Sequence, residues 1–228
     1  MSALDVEIAR SDAGSRRRFT FALGAPAMVL DVLLALQRTD ASIGFHYSCR
    51  VAMCGTCAIR VDGRPALACR TPVTAARDGL LLEPLAGLPV VRDLIVDTTP
   101  FWNAWRSVEP WFTPRADAEE PRVLAAGDPS REAVEAGLDC ISCGACWTAC
   151  DLAGADHGFV GPAALNRAMT LVADARDGAR GRRLRLAAQE GGGTRCHYIH
   201  GCSGACPKGI DPAASIRRLR RWSIGARG

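Results

Sequence analysis

Near the start of the chain, apolar residues alternate with polar ones in two places. Leu4, Val6 and Ile8 share one parity, as do Phe19, Phe21 and Leu23, which predicts two strands with one face turned to a core. From Pro26 the spacing becomes helical, and Val29, Leu33 and Leu36 predict a helix over 26–38. Residues 58–61 and 66–69 flank Asp62-Gly63, a hairpin signal. A cysteine-bearing loop without periodicity separates helix and hairpin. Seven prolines between 84 and 129, with an acidic patch at 117–120, predict a linker over 97–130. Helical patterns follow at 131–137, 162–174, 181–189 and 212–221. The expected organisation is α+β: a small α/β or mainly β domain at 1–96, the Pro-rich linker at 97–130, and a mainly helical domain at 131–228. The aromatic run Phe101, Trp102, Trp105, Trp111 and Phe112 is expected to pack between the domains.

Composition adds constraints. With 228 residues, 48% of them hydrophobic, the chain can bury two cores. Its first residues show no basic-then-apolar secretory pattern, and no stretch approaches the roughly 18 apolar residues of a membrane helix. The expected setting is therefore reducing and cytosolic. Eleven cysteines are an odd number, which excludes a complete disulfide set without a leftover thiol. In a reducing compartment such density points to metal. Charge is uneven: from Arg176 onward twelve Lys and Arg face three acidic residues, although the whole chain carries only +4. A basic third of this kind suits nucleic acid, an anionic membrane surface or an acidic partner, or forms a solvated face. No dinucleotide fingerprint, P-loop or nucleophile elbow is present, so substrate chemistry is expected on another polypeptide.

The cysteines fall into three groups. Cys49, Cys54, Cys57 and Cys69 follow C-x4-C-x2-C with a distant fourth, the spacing of plant-type ferredoxins holding a [2Fe–2S] cluster. Gly55 relaxes the backbone where it must wrap closely. Zinc sites usually come as paired short knuckles instead. Cys140, Cys143, Cys146 and Cys150 form the bacterial ferredoxin run C-x2-C-x2-C-x3-C, whose fourth cysteine ligates the other cluster in two-cluster proteins. The same spacing returns from Cys196 through Ile199 and Cys202 to Cys206-Pro207, with isoleucine in the second position. Cys140, Cys143, Cys146 and Cys206 then hold a [4Fe–4S] cluster. Cys150, Cys196 and Cys202 supply only three thiolates, which predicts a [3Fe–4S] cluster. Asp151 stands where such runs carry proline, adding a backbone N–H and a charge that can tune a potential.

A plant-type [2Fe–2S] (β-grasp) domain followed by a mainly helical bacterial-type ferredoxin domain with one cysteine missing resembles the iron–sulfur subunits of succinate dehydrogenase and fumarate reductase. The resemblance is densest at 47–57, 63–69, 92–97, 140–146, 161–165 and 206–212. It implies an FAD-containing flavoprotein partner, a cytochrome b or other quinone-binding membrane anchor, and electron flow among flavin, [2Fe–2S], [4Fe–4S], [3Fe–4S] and quinone. It also implies a peripheral place on the cytoplasmic face of the cell membrane, with no transmembrane helix and no nucleic acid. Ubiquinone-type relatives carry tryptophans shortly after the cysteine matching Cys150; residues 151–159 have none, which favours menaquinone. His197, which follows Cys196, is instead a feature of succinate dehydrogenases. Quinone-side candidates are His197, Lys208 and Arg220, with packing or capping around the loop the alternative for His197 and His200. His46 and His157 are assigned to structure. The competing readings are the iron–sulfur subunit of another flavoenzyme or a heterodisulfide-reductase-like complex, and a colourless zinc-stabilised nucleic-acid binder.

Overall fold

A computed structural model describes residues 2–11, 15–74, 79–117, 122–155 and 158–225; His157 and most of the acidic patch lie outside them. The strands are β1 (Ser2–Ala9), β2 (Arg16–Leu23), β3 (Ala27–Met28), β4 (Ala58–Val61), β5 (Arg64–Leu67), β6 (Pro72–Val73), β7 (Leu80–Glu83), β8 (Val90–Arg92) and β9 (Ile95–Val96). The helices are α1 (Val29–Thr39), α2 (Thr99–Ser107), α3 (Pro129–Leu138), α4 (Ala145–Thr148), α5 (Gly161–Ala173), α6 (Arg180–Ala188), α7 (Gly201–Gly204) and α8 (Pro212–Gly225). Two compact units result. The first joins Met1–Thr98 to Ile141–Ala149; the second joins Thr99–Cys140 to Cys150–Gly228.

The first unit is built on a mixed five-stranded sheet in the order β2-β1-β7-β4-β5. Leu4, Val6 and Ile8 are buried as their alternation predicts, while Phe19 and Phe21 on the edge strand β2 are only half-buried. Strand β7 pairs parallel to β1 and antiparallel to β4, burying Leu80 and Leu82 at the centre. A parallel pair cannot be closed by a tight turn, and α1 lies in the long crossover, burying Val29, Leu30, Val32, Leu33 and Leu36. The helix begins at Val29 rather than at Pro26, because Ala27–Met28 pairs with Pro72–Val73. Asp31 then caps it by accepting from the Met28 N–H at 2.9 Å. The second hairpin strand also sits two residues earlier than its pattern suggests, so Cys69 lies in the turn after β5 and not on the strand.

One buried carboxylate organises the approach to the cysteine loop. Asp93, whose side chain is fully buried, accepts from the Ser11 N–H at 3.1 Å and the Gly44 N–H at 2.8 Å, and pairs with Arg10. Three charge-compensating contacts make its burial tolerable. They hold the segment that leads into Cys49.

The second unit is helical. Helix α5 is buried almost all round and packs against α2, α3, α6 and α8, as expected of a helix without a polar face. Asn166, buried within it, donates to Gly137 O at 3.2 Å and accepts from Ser215 Oγ at 2.9 Å, linking α3, α5 and α8. The stretch 97–130 carries α2, on which Phe101 is buried with Trp102 and Trp105 against its ring, whereas Trp111 and Phe112 are exposed. The backbone at 109–113 is fixed by arginines. Arg183 is wholly buried with Asp177 and donates to the carbonyls of Glu109 and Trp111, and Arg167 donates to Pro110 O at 2.8 Å.

Candidate cluster-binding loops

All eleven cysteines lie within the described residues and are thiols, none in a disulfide. Among the described residues, no group of three or more His, Cys, Asp or Glu side chains is gathered for a single metal ion.

In the first unit, the 49–57 loop turns through three left-handed residues, Arg50, Ala52 and Gly55. These turns aim backbone donors inward: the N–H groups of Val51, Met53 and Cys54 reach Cys49 Sγ at 3.5, 3.3 and 3.3 Å. Burial opposes ionisation of Cys54, yet its hydrogen bonds with Thr56 and Cys49 outweigh that and lower the thiol to about 6. Burial raises Cys57 to about 11, with Cys69 and Cys54 close enough to act on it. Cys54 thus lies beside Cys49, and Cys57 beside Cys54 and Cys69, which gathers the four thiols at one place. The hairpin base seats the last pair, through Ala68 N–H to Cys57 O at 3.0 Å. The first N–H groups of α1 donate to Thr71 and Ala68 O, fixing the turn around Cys69. Four thiols with N–H donors directed at sulfur fit a [2Fe–2S] centre, whose potential such hydrogen bonds tune. Thr56 was not singled out by the spacing; its signal was a hydroxyl placed between two cysteines.

The two bacterial-type runs repeat one backbone. Two residues after Cys140 and after Cys196, Ser142 (φ 53°) and Tyr198 (φ 57°) are left-handed. Four residues after, Gly144 (φ 79°) and His200 (φ 64°) are left-handed again. Each loop then enters a four-residue helix, α4 or α7. Cys143 and Ile199 occupy the same place in this pattern, and Ile199 is 68% exposed.

Cys143 and Cys146 belong to the first unit, Cys140 and Cys206 to the second. In the first unit Trp147 Nε1 donates to Gly87 O at 3.1 Å, and Thr148 Oγ1 to Ala86 O at 3.0 Å. In the second, Cys140 feels the half-buried Arg167. The first unit thus presents Cys143 and Cys146 on one anchored segment, two thiols of the kind that a [4Fe–4S] centre takes.

Cys150, Cys196 and Cys202 do come together within the second unit. Burial raises Cys202 to about 11, with Cys150 and Cys196 adding to it. Burial also raises Cys196, opposed first by the Tyr198 N–H and last by Arg220, with Cys150 adding to the rise. Three thiols beside an apolar fourth position fit a three-iron centre. Arg220 reaches Tyr198 Oη at 3.3 Å, and Arg217 and Arg220 both lie over the Tyr198 ring, at 5.3 and 5.4 Å. Of the other quinone-side candidates, His197 is exposed and Lys208 half-buried; Asp151 and His46 are exposed. Tyr198 and Arg217 carried no spacing signal, since their meeting depends on helix α8 folding back on the loop. Among the described residues no helix is long and apolar enough to cross a membrane.

Comparison with known proteins agrees with this layout. The profile of a 2Fe-2S iron-sulfur cluster binding domain matches residues 6–103, and that of a 4Fe-4S dicluster domain matches 136–210. The succinate dehydrogenase [ubiquinone] iron-sulfur subunit 1, mitochondrial, of Oryza sativa subsp. japonica is 37% identical over 206 residues, covering 87% of this chain and 72% of the relative. The fumarate reductase iron-sulfur subunit of Mycobacterium tuberculosis is 37% identical over 202 residues, covering 84% and 79%. A chain of the Mycobacterium smegmatis Sdh1 complex in the apo form has the same fold, with a TM-score of 0.88 at 23% identity over 98% of this chain and 96% of that one.

Proposed function

The chain belongs to the iron–sulfur subunits of succinate dehydrogenase and fumarate reductase, and on that premise we propose that it relays electrons between an FAD-containing flavoprotein and a membrane quinone through three clusters. Cys49, Cys54, Cys57 and Cys69 hold [2Fe–2S]; Cys140, Cys143, Cys146 and Cys206 hold [4Fe–4S]; Cys150, Cys196 and Cys202 hold [3Fe–4S]. When bound, the clusters supply one-electron carriers, which a dicarboxylate reaction in electron pairs requires on its way to quinone. The chain's own residues do the rest. They fix the sulfurs, direct N–H groups at Cys49, and place the Arg217 and Arg220 cations beside the Cys196 loop.

The carrying observation is the shared backbone of the two runs, with Ile199 in the place of Cys143. An apolar side chain at a ligand position cannot bind iron, so the third group has three thiolates and no fourth. Redox-poised EPR of the intact complex tests this: one oxidised-state three-iron signal is expected beside [2Fe–2S] and [4Fe–4S] signals. Two four-iron centres without a three-iron signal would overturn it.

The quinone is read from the chain itself, because the relatives include one named for ubiquinone and one named as a fumarate reductase. Residues 151–159 contain no tryptophan, which supports menaquinone. The partner on that side is a cytochrome b or other quinone-binding anchor, with the chain peripheral on the cytoplasmic face of the membrane. His197, Lys208 and Arg220 are the proposed quinone-side residues, and Arg220 donates to Cys196 O at 3.5 Å and acts on the Cys196 thiol. Turnover of the complex with succinate or fumarate should favour a low-potential naphthoquinone over a ubiquinone analogue; the reverse preference would reject menaquinone.

A further inference from the structure

Within the first unit, two loops that serve different cysteine groups meet backbone to backbone. A Cβ built on Gly55 would lie 2.8 Å from Cys143 Cβ, 2.9 Å from Cys143 Cα and 2.9 Å from Ile141 O. Real Cβ atoms do not approach so closely, and two of those three atoms are main chain, so they cannot swing aside. Only a residue without a side chain lets the loops touch here. The segment facing Gly55 is not free to retreat, since Trp147 and Thr148 bind it to the carbonyls of Gly87 and Ala86. The contact is thus a fixed separation set by one missing methyl group. Gly55 also has φ +73°, a conformation that glycine adopts at little cost. A turn alone does not explain it: Gly63 (φ +78°) has open space where its Cβ would be.

We propose that Gly55 is the spacer that sets the closeness of the [4Fe–4S] ligand segment Ile141–Ala149 to the [2Fe–2S] loop, and so the rate of electron transfer between the first two carriers. This rests on the cluster assignment above. The transfer concerned moves a single electron, oxidising the first centre and reducing the second, with no bond or proton changing place. Gly55 is a positioning residue: it touches neither substrate nor iron, and acts by letting Cys143 come near.

The test uses the intact complex with three variants. Gly55→Ala and Gly55→Asn both add the Cβ, and asparagine tolerates the left-handed conformation far better than alanine does. Gly63→Ala imposes the same backbone strain with nothing to push. For both Gly55 variants, EPR should show the [2Fe–2S] spectrum and midpoint retained but its spin coupling to the reduced [4Fe–4S] centre weakened. Rapid-mixing reduction of the second centre should slow several-fold, and Gly63→Ala should match wild type in both. Wild-type coupling and rate in the Gly55 variants would overturn the spacer role, as would equal slowing in Gly63→Ala. So would loss of the [2Fe–2S] signal in both Gly55 variants alone, which would confine Gly55 to the first loop. If the wild-type complex itself lacked a coupled [2Fe–2S] and [4Fe–4S] pair, the cluster assignment would fail instead.

Discussion

The two bacterial-type runs, 140–150 and 196–206, use one backbone to opposite ends. Both turn left-handed at the second and fourth residues after the first cysteine, and both enter a four-residue helix. They differ in what the frame carries. The first places a thiol at Cys143, a glycine at the second left-handed position, and anchors its helix through Trp147. The second places Ile199, keeps a side chain at His200, and anchors its helix through Ser203, which donates to Asp211 at the start of α8. A duplicated loop conformation therefore does not dictate ligation. Conformation selects where a side chain points; chemistry at that point decides what it binds.

The strongest way to break the comparison is to erase its main difference. Ile199→Cys restores the fourth thiolate on a backbone already shaped for it, so the oxidised three-iron EPR signal should disappear and a reduced four-iron signal replace it, with iron content rising accordingly. Persistence of the three-iron signal would mean that the loops are alike only in dihedral angles. Next in size is the anchor of the first run. Trp147 is buried and Gly87 exposed, so Trp147→Phe gives up one hydrogen bond and part of a buried ring, at a cost of about 1–3 kcal/mol measurable by thermal unfolding of the complex. The left-handed positions should respond unequally to one change: Gly144→Ala forces a Cβ into that conformation at about 1–2 kcal/mol and presses on Leu85, 3.3 Å away. His200→Ala should stay within about 0.5 kcal/mol, because the second loop already holds a side chain there.

The smallest effect is a pH dependence confined to the second run. The Ser203 hydroxyl is the main cause holding the Asp211 carboxyl below its ordinary value, helped by the Ala214 N–H and by His200. A depressed folded-state value means that the stabilisation is complete above the unfolded value near 3.8 and fades as pH falls through the lower folded value. Ser203→Ala should cost about 1 kcal/mol at neutral pH and remove part of that acid-side slope. An unchanged slope in acid titrations would detach Ser203 from Asp211.

What could be read beforehand follows from periodicity and spacing. The alternation at Leu4, Val6 and Ile8 and the helical run of α8 were legible because each buries one repeating face, while α5, buried almost all round, was legible from the proline at its start. The cysteine groups were legible because ligand spacing is a local constraint. Strand β7 was not, since Leu80-Leu81-Leu82 is apolar throughout although only Leu80 and Leu82 are buried and Leu81 is half-buried, so no alternation announces the strand. Helix α2 hid behind Pro100, read as linker punctuation although proline is at home in a first helical turn. Helices α4 and α7 are too short to have a period at all. Side-chain meetings such as Arg217 and Arg220 on Tyr198 are tertiary, and no local pattern encodes them.

The divided course of the first unit has a consequence for synthesis on the ribosome. Its sheet is complete once β7 has emerged, but Trp147, which buries against Gly87, is still to be translated. Folding of the N-terminal half is then finished from outside its own stretch of chain. A nascent protein halted after Thr98 would hold the four cysteines of its first group without the segment that seats against Gly55. Truncations drawn at that natural-looking boundary should be harder to keep in solution than their sheet alone would suggest.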